Sequence, residues 1–290
     1  RQLKDLWGAL GSRSVSLEQF SELLLGREFL TGYQLNRVLR GEKKGFFFGD
    51  YKILYLVGRG SFARVYRAVH HVTGEIVALK IMRRSCARDP QKVDDFQREG
   101  TMGMTLRHPN IVSIFEIASH DNRHFLVMEF VEGRNLREFI KIRGQCEPDE
   151  AIRLIKDVAS ALDYAQRKGI THRDVKLSNV LVSGRGIAKL ADFGLAGGMD
   201  HVDNLTEQAN PRTIDYAALE RSTGARRDDP RSDIYFTGCM LYHLLAGQPP
   251  LSDTKNRMNR LDKDRFVNVK PLHKLLPRLQ RPVWEVVAKA

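Results

Sequence analysis

The spacing of apolar side chains changes character along this chain. Between residues 17 and 25, Leu17, Phe20, Leu23 and Leu24 recur at the interval of one helix face. Ser16 and Gln19 make a capping box ahead of that stripe, and Gly26 supplies a stop. Thr31 and Gln34 repeat the box before Leu35, Val38 and Leu39, a second short stripe that ends at Gly41. Two helices this short bury little surface by themselves, so they are expected to pack on a neighbouring domain or a partner.

From Tyr51 the pattern turns to short β-branched and aromatic runs. Strands are expected over 51–57, 63–70 and 76–82, with Thr73 and Gly74 turning between the last two. A helix over roughly 90–106 follows, then strand-like runs at 111–118 and 125–130 joined by residues 120–123. Beyond Gly133 the pattern is mainly helical. Ile152, Ile155, Val158, Ala159 and Leu162 mark the expected apolar face of a helix over 148–166. Residues 234–245 are apolar nearly all round and are expected to be buried. No internal repeat is visible.

The chain has 290 residues, 42% of them apolar, which suffices for a buried core and excludes disordered and collagen-like classes. A net charge of +12 favours acidic or phosphate-bearing partners without selecting one. Arg37, Arg40, Lys43 and Lys44 cluster beside the second stripe, where a helix-turn-helix is one reading. An accessory helical segment with solvated basic residues is the reading favoured, and nucleic acid is not an expected partner. Cys86, Cys146 and Cys239 are odd in number, far apart and outside CxxC spacing, which points to a reducing, cytoplasmic setting. No apolar run approaches the ~20 residues of a membrane span. A chain that opens on Arg1 is expected to be a piece of a longer one, whose other parts could carry an anchor.

Five short motifs bring in chemistry. Gly58 and Gly60, with Ser61, Phe62 and Ala63, form a glycine-rich link between two strands, where backbone N–H groups can meet phosphate closely. Lys80 closes an apolar strand, a place that suits an anion. Glu99 stands on the following helix, able to pair with Lys80. Asp174, Lys176 and Asn179 put a carboxylate, an ammonium and an amide within six residues, apt for a base, a phosphate clamp and a metal ligand. Asp192 precedes Phe193 and Gly194 at a strand end, where its oxygens can reach Mg²⁺.

In this order and context the five motifs resemble those of eukaryotic-type (Hanks-type) Ser/Thr protein kinases. The resemblance covers about 49–290, and the runs at 30–35 and 98–103 are more similar to bacterial members. It implies an α+β, two-lobed protein kinase fold. A small antiparallel sheet with one key helix (49–131) would be followed by a mainly helical lobe (132–290) and preceded by a helical extension (1–48).

It also implies roles. Val57, Gly58, Gly60, Ser61 and Phe62 would cover the ATP phosphates, with Lys80 holding them and Glu99 orienting Lys80. Val65, Ala78 and Leu181 would sandwich the adenine, with Met128 as gatekeeper and Glu129 to Val131 as hinge. Asn179 and Asp192 would bind Mg²⁺, with Mn²⁺ as an alternative. Asp174 would take the substrate proton and Lys176 would steady the γ-phosphate. Asp233 and Gly238 would anchor the catalytic loop. Arg173 beside Asp174 implies control by phosphate on the activation segment. Thr206 is the one Ser or Thr between Asp192 and Pro211. Lys176 and Thr213 fit the Ser/Thr class, and protein substrates, with a transient homodimer for autophosphorylation, would be the partners. A pseudokinase or scaffold is the alternative, and a small-molecule phosphotransferase a weaker one.

Several positions depart from the family pattern. Ala63 replaces a glycine, Leu177 a proline, and Leu219 the proline of Ala-Pro-Glu. Gly103 stands where a bulky residue is usual, so a hole is expected that loosens the helix and its Lys80–Glu99 pair. The family's last helices, and an arginine partner for Glu220, would lie past Ala290. The basic run Lys255, Arg257, Arg260, Lys263 and Arg265 is expected to be a solvated face.

Overall fold

The computed structural model describes residues 15–193, 211–226, 229–251 and 257–290, with residues 8 and 254. The chain divides into two compact units, Arg1–Asp89 with Ala118–Phe130, and Pro90–Ile117 with Val131–Ala290.

In the first unit both capping boxes form, on α1 (Leu17–Gly26) and α2 (Gly32–Leu39). The face of α2 that is buried is not the expected stripe. Leu35 is buried together with Gln34, while Val38 and Leu39 are exposed. The reason is a sheet edge. Strand β1 (Phe47–Phe48) pairs with only Tyr51 and Lys52 of β2 (Tyr51–Arg59). The next carbonyls of β2 need donors. Gln34 Nε2 donates to the Ile53 carbonyl and Thr31 Oγ1 to that of Leu54, each at 2.5 Å. The helical segment therefore docks on the neighbouring sheet.

Strands β3 (Ala63–His70), β4 (Ile76–Met82), β5 (Ile114–His120) and β6 (Arg123–Glu129) complete a sheet of order β1-β2-β3-β4-β6-β5. Gly74 turns the β3–β4 connection at φ +76°, and Asp121 and Asn122, both at positive φ, turn β5 into β6. Strand β5 begins later than expected because Ile111 lies in an isolated bridge with Leu190, whose N–H donates to the Asn110 carbonyl and whose carbonyl accepts from the Val112 N–H. The unit's core, formed by Ile53, Ala68, Val77, Leu79, Ile81, Phe125 and Val127 under Phe48, covers one face of the sheet.

The second unit holds α3 (Pro90–Met104), α4 (Leu136–Arg143) and α5 (Pro148–Arg167). A three-stranded sheet joins them, made of β7 (Gly133–Asn135), β8 (Val180–Ser183) and β9 (Ala188–Leu190). Then come α6 (Pro211–Thr223), α7 (Pro230–Ala246), α8 (Arg257–Leu261), α9 (Asp264–Val267), α10 (Leu272–Leu275) and α11 (Arg281–Lys289). Helix α5 packs on α7 and β9 through Ala151, Leu154, Val158, Ala161 and Ala165. That face is rotated from the expected one, leaving Ile152 and Ala159 exposed. Its alanines let the two helices approach closely, a preference that apolar bulk alone does not reveal. Helix α7 is buried as expected except for Ile234, which is half exposed. Among the described residues, no helix is long and apolar enough to cross a membrane.

Two further expectations are overturned. No hole exists at Gly103, because Ile114 lies against it and a Cβ there would stand 2.4 Å from Ile114 Cδ1. Part of the basic run is not solvated either. Arg260 and Arg265 turn inward onto the buried carboxylate of Asp215, at 3.1 and 2.8 Å. A buried carboxylate needs such partners.

Candidate active site

In the first unit the glycine-rich link joins β2 to β3. Gly58 follows a β-bulge and pairs with Val65, and the Gly60 N–H donates to the Ala63 carbonyl at 2.9 Å. A Cβ on Gly60 would approach that carbonyl to 3.2 Å. The bond closes a narrow loop that carries Ser61 exposed and Phe62 half-buried, with Val57 half exposed before it. Ala63 is buried, so a methyl group is accommodated where the family has glycine.

Register places the other residues of this unit. Val65 lies opposite Lys80, and Lys80 opposite Leu126; Ala78 lies opposite Met128. Directly paired residues share a face, as do residues two apart. Val65, Ala78, Lys80 and Met128 therefore occupy the face opposite the one that Leu79, Ile81 and Phe125 pack. Glu129 ends β6.

The second unit builds its share around one carboxylate. Asp233, in the first turn of α7, accepts from the N–H groups of His172 (2.7 Å) and Arg173 (3.0 Å) and from the Tyr216 hydroxyl (2.8 Å). The Tyr216 oxygen in turn accepts from the Val175 N–H at 3.1 Å. These bonds hold the backbone on both sides of Asp174. Arg173 adopts φ +63°, a conformation that side chains resist and that needs such support. His172 is fully buried. Its Nδ1 accepts from the Asp174 N–H (3.1 Å), and its Nε2 donates to the Ala191 carbonyl (3.0 Å). Its ring packs against Phe193 at 4.5 Å.

The side chain of Asp174 is held from one side only. Oδ2 accepts from Lys176 Nζ (2.5 Å) and Asn179 Nδ2 (3.0 Å), and the same amide also donates to the Asp174 carbonyl. Oδ1 is buried and has no partner among the described residues. Asn179, in a short 3-10 turn (Leu177–Asn179), spends its amino group on Asp174, leaving its carbonyl oxygen for another ligand. The Asn179 main-chain carbonyl accepts from the Ala191 N–H at 2.8 Å, tying the turn to the residue before Asp192. Asp192 has φ +62°. An amide oxygen and a carboxylate so tied suit an oxygen-binding divalent cation. Leu177 is buried, so an apolar side chain serves where the family has proline.

Glu99 is half-buried on α3, Val131 precedes β7, and Leu181 lies in β8, half-buried. Thr206 lies outside the described residues. A Cβ on Gly238 would meet Ala290 at 2.6 Å, so a bare backbone is needed at that point of α7. Tyr216 is the residue whose role the sequence reading missed. The signal that could have found it was a hydroxyl-bearing aromatic beside Asp215.

The profile of the protein kinase domain family matches residues 51–288. The chain is 35% identical over 202 residues to "Serine/threonine-protein kinase PrkC" of Bacillus subtilis (strain 168), covering 70% of this chain and 31% of that protein. It is 36% identical over 208 residues to "Probable serine/threonine-protein kinase PknB" of Lactococcus lactis, covering 71% and 33%. To "Serine/threonine-protein kinase PknE" of Mycobacterium tuberculosis (strain H37Rv) it is 36% identical over 209 residues, covering 72% and 37%. The chain thus spans about a third of the length of these relatives.

Proposed function

The chain belongs to the protein kinase domain family, and from that membership we propose that it transfers the γ-phosphate of ATP to serine and threonine hydroxyls of proteins. The observation that carries the proposal is the asymmetric Asp174 carboxylate. One oxygen is bonded to Lys176 and Asn179, and the other is buried and unpartnered among the described residues. A side chain so oriented can accept a proton at Oδ1 with no prior rearrangement.

In this reading Asp174 Oδ1 takes the substrate hydroxyl proton as its oxygen bonds to the γ-phosphorus. The bond to the β-phosphate bridging oxygen breaks, and ADP leaves. Lys176 steadies the transferring group, and Lys80, oriented by Glu99, holds the other phosphates. Val57, Gly58, Gly60, Ser61 and Phe62 cover them. Val65, Ala78 and Leu181 take the adenine between them, with Met128 beside it and Glu129 and Val131 at its edge. Asn179 and Asp192 hold the divalent cation, Mg²⁺ or Mn²⁺, which offsets phosphate charge when bound. The protein's own contribution is position and fixed charge.

Residues 1–48 form an accessory segment in this scheme, 49–131 the nucleotide lobe and 132–290 the peptide lobe. Arg173 answers to phosphate on Thr206, added by a second copy in a transient homodimer, in the cytoplasm. The test is a panel with γ-labelled ATP. Label should enter Ser- and Thr-containing proteins and not tyrosine peptides, sugars or aminoglycosides. Transfer to the small molecules alone would refute the assignment.

A further inference from the structure

The other face of the first unit's sheet carries a second concentration of charge. A cavity of about 800 Å³ opens there, with Phe48, Leu56, Tyr66 and Ile81 among its apolar walls. Arg59, Arg64 and Arg123 line it from the sheet, Arg83 and Arg84 from the turn after β4, and Arg40, Lys43 and Lys44 from the loop after α2. Arg37 and Glu42 also line it but bond to each other at 2.7 Å. Arg37 further donates to the carbonyls of Lys44 and Gly45, which fixes that loop as a wall.

Eight cationic side chains thus line one cavity with no other acid among the described lining residues, against +12 for the whole chain. Among the described residues, no carboxylate pairs with Arg59, Arg64, Arg83, Arg84 or Arg123. Arg59 and Arg64 are directly cross-strand, an arrangement of like charges that weakens a sheet. The Nε atoms of Arg83 and Arg123 are buried without an acceptor among the described residues. Arg123 lies over the Phe48 ring at 5.4 Å. Burial, then Arg84, push its guanidinium below the usual range, with Arg64 adding to this and Tyr66 opposing it. Unmatched buried donors and crowded like charges are unfavourable without an anion to answer them.

We propose that this cavity binds a phosphorylated peptide segment, with the phosphoryl group held among Arg64, Arg84 and Arg123 and the flanking side chains on Phe48, Leu56 and Ile81. Forked guanidinium donors match phosphate oxygens in geometry and charge. The cavity is far larger than one phosphate ion, and a bare oligophosphate would leave its apolar walls unused. A concave pocket of this kind suits an inserted side chain better than a nucleic-acid backbone, which follows an extended basic stripe. The site goes beyond the transfer reaction, because Val65 and Lys80 occupy the opposite face of the same sheet.

Fluorescence anisotropy on the full chain tests it. The probe is a labelled peptide with one phosphothreonine among alanines and leucines, beside its unphosphorylated twin, sodium tripolyphosphate and a single-stranded RNA oligonucleotide. The phosphopeptide should bind at least about tenfold tighter than its twin, the gain of one charge-assisted contact. Arg64→Gln with Arg84→Gln, both at exposed positions, should remove that preference without changing the melting temperature. Asp174→Asn should keep it, so failure of catalysis and failure of this site are separable. Equal binding of the two peptides, an undiminished preference in the double variant, or displacement of the phosphopeptide by tripolyphosphate or RNA at lower concentration would each overturn the proposal.

Discussion

At Asp233 three donors converge on one buried carboxylate, and two of them are backbone groups of the loop that presents Asp174. Replacing Asp233 by Ala leaves those donors unanswered in a dry site. At about 1–3 kcal/mol for each unsatisfied group, the fold should lose about 3–5 kcal/mol, measurable by urea unfolding. A loss below about 1 kcal/mol would mean that the loop is held by something else. At this scale the sequence was most legible where chemistry dictates residue type. Lys80, Asp174, Asn179 and Asp192 stand out because a charged or amide side chain at a strand end or in a tight loop has few structural reasons to be there. Tyr216 was not legible, since a buried tyrosine reads as packing until its hydroxyl partners are seen. The inward turn of Arg260 and Arg265 was missed for the same reason: their partner, Asp215, lies about fifty residues away in sequence.

Elements were legible in their existence and less so in their buried faces. The strands and both capping boxes follow from period and cap chemistry, whereas α5 buries Ala151, Leu154, Ala161 and Ala165 and leaves Ile152 and Ala159 of the expected face exposed. Gly103 on α3 shows the same limit. Sequence alone leaves a gap there, and the fold fills it with Ile114. Gly103→Ala should gain about 1 kcal/mol of helix propensity. Against that stands overpacking of about 1–3 kcal/mol on Ile114 Cδ1, so the net effect is a loss. Combining it with Ile114→Val, which removes that methyl, should make the pair more stable than the two single effects sum to. Strict additivity in a double-mutant cycle would contradict the contact. Helix α7 adds a pH dependence. Burial holds the His243 imidazole below its ordinary 6.5, favouring the neutral form in the folded state. Its stabilising effect is therefore complete above pH 6.5 and is lost as pH falls from there through the folded value. His243→Gln should flatten the fall in unfolding free energy below pH 6.5, and an unchanged slope would refute this role.

For the whole molecule, the fold class was what the resemblance carried by the five motifs implied, and the family match over residues 51–288 bears it out. What the sequence left hidden is how the two faces of the first sheet differ. Strand alternation puts Lys80 on one face and Arg64, Ile81 and Phe125 on the other. Which face the N-terminal segment covers depends on where its side chains find acceptors on β2. Residues 15–48 thus contribute to packing, through Phe48, and to a charged cavity, through the loop after α2. The central claim is that Asp174 drives phosphoryl transfer. Its most direct test is intact-mass and peptide mass spectrometry after incubation with Mg²⁺ and ATP, with Asp174→Asn in parallel. The account predicts added phosphate on Ser or Thr of the parent chain, Thr206 among the sites, and none on the variant, with both proteins equally folded. Equal phosphate on both proteins, or none on the parent, would contradict it.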